Sequence, residues 1–144
     1  PEMFVRYAQI AALMPVMQFS ASPWRVLPEA DFQKVKDALA LREKCLPEIL
    51  KAVECAKVTG EPIVRSMEFV FPGQGMERVM DQFMVGEDLL VAPVWKQGEV
   101  ARSVRLPEGQ WRCVGLGETE GDVLNGGRDV ILGENEGLVV LKRV

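Results

Sequence analysis

The sequence contains no histidine. That absence removes Ser-His-Asp and Cys-His catalysis, histidine-ligated zinc hydrolase sites and any imidazole general base from these residues. Cysteine is scarce, at Cys45, Cys55 and Cys113, and no CxxC occurs. On one continuous helix Cys45 and Cys55 would stand roughly 15 Å apart, beyond disulfide reach. An odd, widely spaced set reads as reduced thiols. No apolar run approaches the length of a membrane span. The 17 basic residues form no cluster and are scattered among 21 acidic ones, for a net charge of −4. Neither nucleic acid nor a membrane is therefore expected as a partner. No initiator Met and no basic leader opens the chain, which begins Pro1-Glu2-Met3 and enters an amphipathic pattern at once. We read it as a piece of a longer protein.

What is present is globular in composition, with 48% hydrophobic and 26% charged residues over 144 positions. Residues 2–13 have the spacing of a helix, with Phe4, Ala8, Ala11 and Ala12 on one stripe. Pro15 should end it, because a residue before proline avoids the helical region. Val16 to Phe19 then reads as a short extended strand, and Ser20 to Trp24 as a loop stiffened by Pro23. A second helix should open at Pro28-Glu29-Ala30-Asp31, with acids at its positive end, and close at Gly60. Pro47 lies inside that pattern; a kink or break is expected near Leu46. Ile63 to Phe71 alternates like a strand. Pro72-Gly73-Gln74-Gly75 is a turn cluster, taken as the domain boundary.

Beyond it the texture changes to short strands with turns. Leu89 to Val94 is continuously apolar, as in a strand buried on both faces. Val100, Arg102, Val104 and Leu106 alternate against Ala101, Ser103 and Arg105. Gln110 to Val114, Val130 to Leu132 and Leu138 to Leu141 read as further strands. Turn signals separate them at Pro107-Glu108-Gly109, Gly115-Leu116-Gly117, Gly121-Asp122 and Asn125-Gly126-Gly127. This spacing predicts a small antiparallel sandwich over 72–144, preceded by an α/β portion over 1–71.

Several blocks, in order, resemble glycoside hydrolase family 31. Met3-Phe4-Val5-Arg6-Tyr7-Ala8-Gln9 with Ala12-Leu13-Met14-Pro15-Val16-Met17 is similar to that family's R-W-x-Q-x-x-A-x-x-P-x-M segment. Leu41-Arg42, Leu46-Pro47 and Gly60-Glu61-Pro62-Ile63-Val64-Arg65 resemble its l-R, l-P and G-x-P-x-x-R elements. Asp81-Gln82-Phe83-Met84-Val85-Gly86 with Leu89-Leu90-Val91-Ala92-Pro93-Val94 resembles D-Q-F-M-x-G-x-x-L-L-V-A-P-V, and Leu106-Pro107-Glu108-Gly109-Gln110-Trp111 resembles L-P-x-G-x-W. The resemblance implies the last part of a (β/α)8 TIM barrel over 1–71, then a β-sandwich domain over 72–144. It implies a retaining α-glycosidase whose two catalytic Asp lie in residues preceding this chain. No catalytic residue, metal site or cofactor is therefore expected within it, and the partner implied is a carbohydrate, an α-glycoside.

One departure bears on substrate. Many members of the family carry R-x-H where this chain has Gln18-Phe19-Ser20, and the resemblance implies that this His contacts the sugar beside the cleaved bond. Ser20 is a shorter, neutral donor and acceptor. Together with Pro23-Trp24, it resembles a branch for which α-galactosidase-like activity is implied. The candidate substrate-binding residues are accordingly Ser20, Gln18 and Trp24. The first two could bond sugar hydroxyls, and Trp24 could stack on a sugar ring. The competing readings are a loop-capping Ser, a core-edge Gln and a Trp that plugs the barrel rim. Arg25 reads as an ion-pair or packing residue, Arg42 and Arg65 as paired structural cations, and Asp81 and Gln82 as hydrogen bonders at the domain junction. Trp95 and Trp111 read as packing residues, and Glu87-Asp88 and Glu118/Glu120 as turn carboxylates. A rival function is a non-catalytic carbohydrate-binding or scaffolding relative. A weaker one is a sandwich module that folds alone.

Overall fold

The computed structural model describes residues 1–115, 121–133 and 137–144. Leu116, Gly117, Glu118 and Glu120 lie outside the described residues. Helix α1 (Glu2–Ala12) forms because Val5, Ala8 and Ala12 recur on one buried stripe. It stops at Leu13, whose amide bonds back to Ile10. A short helix α2 (Pro23–Val26) carries Pro23 at its first position, where a missing N–H costs nothing. The loop expected there is thus partly helical.

Helix α3 (Glu29–Thr59) runs unbroken for 31 residues. Val35, Ala38, Leu41, Cys45, Ile49 and Ala52 form its buried stripe, and Gly60 closes it in the left-handed conformation, φ 76°. The break expected at Pro47 does not occur. Pro47 and Glu43 both face solvent, so the carbonyl that Pro47 leaves without an amide is on the wet side.

Among the described residues eight strands follow: β1 (Val64–Ser66), β2 (Phe83–Val85), β3 (Leu89–Pro93), β4 (Arg102–Leu106), β5 (Gln110–Cys113), β6 (Val123–Asn125), β7 (Arg128–Leu132) and β8 (Leu138–Arg143). Six make one antiparallel sheet in the order β1-β2-β3-β8-β5-β6, and β4 pairs with β7 in a second. The strand expected over 63–71 is only three residues long. Ser66 then accepts a hydrogen bond from the Phe69 amide and starts helix α4 (Met67–Val70). A capping serine overrides the apolar alternation there.

β3 is buried at all five positions, as its unbroken apolar run predicts. The period-2 rule sorts its side chains between two cores. Leu89 and Val91, with Leu138 and Val140 of β8, pack against the α3 stripe together with Ala12 and Leu13. Leu90 and Ala92, with Val139 and Leu141, pack against Val104, Leu106 and Trp111 on the other side. The sheet is therefore sandwiched between helices and the β4–β7 ribbon.

The expected antiparallel sheet is present. The expected barrel portion is corrected: among the described residues no parallel strand pair occurs, and 1–71 supply mainly helices. Val16 to Phe19 is extended but assigned to no strand. A strand needs a laddered neighbour, and none lies beside it in these residues. The sheet starts at Val64, ahead of the Pro72–Gly75 turn expected to divide the chain.

Candidate functional site

The segment from Leu13 to Trp24 leaves α1, crosses the face of α3 and enters α2. Its alternation is visible in the packing. Met17 and Phe19 turn inward to Val5, Ala8 and Val35, and Phe19 stacks on Phe4 at 6.2 Å between centroids. Val16, Gln18 and Ser20 consequently share the outward face, with Val16 81% exposed. Trp24 stands on α2 and is 66% exposed, while its neighbour Pro23 is buried. The structure thus brings Gln18 and Ser20 together on one face and places Trp24 on a separate element beyond them. Amide, hydroxyl and indole there can hydrogen-bond and stack. None of the three is a carboxylate, so this face supplies neither a nucleophile nor a general acid of the kind glycoside cleavage uses.

The path of that segment is fixed from α3. Arg42 donates from Nη1 to the carbonyls of Ala12 and Met14, each at 2.6 Å, and from Nη2 to that of Pro15 at 3.2 Å. Arg42 is structural, as expected, but its partners are main-chain carbonyls rather than a carboxylate. Sequence could flag an Arg next to the buried stripe; only the fold shows whom it meets.

Most of the remaining candidates are held by partners elsewhere in the fold. Arg25 is exposed. The Arg65 side chain is buried, paired with Glu61 at 2.9 Å and Glu87 at 3.6 Å, and donates to the Pro62 carbonyl. Asp88 meets Lys51 on α3 at 2.6 Å, and this bond raises the Lys51 pKa above its ordinary value. Gln82 exchanges two hydrogen bonds with the backbone of Arg105, and Asp81 pairs with Arg102 at 2.6 Å. Trp111 is fully buried and donates to the Pro107 carbonyl, whereas Trp95 is 56% exposed. Arg102 had no role assigned from sequence, yet its place on the apolar side of an alternating strand was the signal. Cys45 is buried between α3 and the sheet, and burial, helped by Glu48, pushes its thiol up to about 11. No group of three His, Cys, Asp or Glu suited to a metal occurs among the described residues.

Residues 60–131 match the glycosyl hydrolase family 31 C-terminal domain, starting at the glycine that closes α3. The chain belongs to glycosyl hydrolase family 31. Among similar proteins, the myogenesis-regulating glycosidase of Mus musculus is 39% identical over 112 residues, covering 77% of this chain and 16% of that protein. The SITS-binding protein of Tetronarce californica is 34% identical over 116 residues, again covering 77% of this chain and 16% of that protein. The structure of a family 31 α-xylosidase from a soil metagenome, complexed with xylose, superposes with a TM-score of 0.81 at 28% identity. It covers 96% of this chain and 24% of that one. The chain therefore spans about one sixth of the length of the two sequence relatives.

Proposed function

We propose that this chain is the closing part of a retaining exo-acting α-glycosidase, which removes a terminal α-linked sugar by a two-Asp double displacement. The carrying observation is the outward face of Gln18 and Ser20 within a family 31 chain. The catalytic Asp pair belongs to residues preceding this chain, and α1 and α3 brace the barrel that holds it. The sheet from Val64 onward is the sandwich that follows. Ser20, Gln18 and Trp24 form one wall of the sugar pocket. Ser20 offers a hydroxyl where the family pattern has an imidazole, which favours an α-galactoside over an α-glucoside.

The test uses the full-length protein with aryl α-galactoside and aryl α-glucoside as substrates. We expect hydrolysis of the galactoside, and a shift in the ratio of the two activities on Ser20→His. Unchanged rates for both Ser20→His and Ser20→Ala would remove Ser20 from the pocket. The 1–144 chain alone should cleave neither substrate.

A second reading is supported by one observation: a relative at 34% identity is named for binding rather than for hydrolysis. On that reading the protein is a non-catalytic carbohydrate binder. The two separate on the residues preceding Pro1, since the enzyme requires both Asp and the binder does not.

A further inference from the structure

We propose that Arg42 is a positioning residue for the sugar-facing segment, setting which of its two faces meets the ligand. This rests on Ser20 and Gln18 being sugar contacts.

The last carbonyls of a helix have no intrahelical partner. At the end of α1 no glycine turns the chain back to satisfy them; Leu13 remains in the right-handed region, φ −95°. Arg42 takes over that role for Ala12 and continues past the helix to Met14 and Pro15. Its planar guanidinium holds these three carbonyls in one fixed arrangement, which a lysine ammonium would not impose. Arg42 itself is carried by α3 beside buried Leu41, on a helix packed along the sheet.

The consequence follows from period 2. In an extended segment a slip of one residue exchanges the two faces. Within these residues two contacts fix the segment: Arg42 at Met14 and Pro15, and the Phe19–Phe4 stack at the other end. Between them Met17 points in, and Gln18 and Ser20 are obliged to point out.

The experiment compares Arg42→Lys, Arg42→Met, Ser20→Ala and Arg42→Lys/Ser20→Ala in the full-length protein. Arg65→Lys serves as a buried-arginine control remote from the segment. Hydrogen exchange of amides 16–20, KM and kcat on the aryl α-galactoside, and the Kd for free galactose are measured. We expect faster exchange at 16–20 in both Arg42 variants and not in Arg65→Lys. Arg42→Lys should raise KM and Kd by about tenfold, the loss of one neutral hydrogen bond, with kcat within about twofold. The double variant should be no worse than the poorer single one, because both remove the same contact. Unchanged exchange at 16–20 overturns the positioning role whatever the ligand. Additive losses in the double variant overturn it too. Faster exchange with a silent Ser20→Ala refutes the sugar-contact reading, and with it the use assigned to Arg42. If Arg42→Met fails to fold, Arg42→Lys decides alone.

Discussion

Replacing Arg102 by Met should be among the most damaging single changes in the sheet region. The Arg102 side chain is 5% exposed and ties together three stretches of backbone. Nη1 donates to the carbonyls of Asp81 at 2.6 Å and Pro93 at 2.8 Å, and Nε donates to that of Ser103 at 3.2 Å. Nη2 faces the Asp81 carboxylate at 2.6 Å, but that carboxylate is 47% exposed. Two accounts of this residue give different numbers. If the ion pair dominates, Arg102→Met and Asp81→Asn cost the same. If the carbonyl bonds dominate, Arg102→Met strands the buried Pro93 carbonyl and its neighbours. Removing one partner of a buried charged network then costs about 3–5 kcal/mol. Asp81→Asn, at a half-exposed site that keeps every carbonyl bond, costs about 1 kcal/mol. We expect the second pattern. Urea unfolding followed by Trp111 fluorescence measures it, since Trp111 is fully buried while Trp24 and Trp95 are already exposed. In thermal melts the gap corresponds to a Tm about 10 °C lower for Arg102→Met. Equal losses for the two variants, or a loss below about 1 kcal/mol for Arg102→Met, would refute the carbonyl account.

Two further outcomes follow. Gly126→Ala would bring a Cβ within 1.8 Å of the Pro107 carbonyl oxygen, so backbone must move. It should destabilise more than Gly86→Ala, where φ is 61° and the new Cβ meets the Ala52 Cβ at 3.1 Å; paired urea midpoints check the order. Cys45 should make stability fall with rising pH between about 9 and 11. The unfolded chain loses this proton near 9.0, the folded chain holds it to about 11, and over that window folding takes up a proton. The stability difference between wild type and Cys45→Ala should shrink across that range and stay flat below it, as read from urea unfolding at stepped pH.

The long helix, the fully buried β3 and the alternation of β4 could all be read from spacing, because each rests on a pattern its own residues carry. The exceptions share a cause. Val16 to Phe19 has the local character of a strand, but strand identity belongs to a pair, and no partner lies beside it among the described residues. Pro47 is a helix breaker by chemistry, yet its solvent-facing position makes the missing bond cheap. Ser66 turned half of an expected strand into a capped helical turn. At the candidate site, the outward sense of Gln18 and Ser20 was implicit in the apolar Met17 and Phe19 between and beside them. The clasp from Arg42 spans 27 to 30 residues of sequence, so no local pattern could have announced it.

Ala12 and Leu13, the α3 stripe and the inner faces of β3 and β8 all belong to one apolar cluster. A chain cut at the Pro72 turn would leave Leu89, Val91, Leu138 and Val140 facing water, an aggregation-prone surface rather than a finished module. Helices and sheet are thus a single inheritable unit. Recombination that brings in a new sheet would have to carry α3 with it, or rebuild half of a core at the seam.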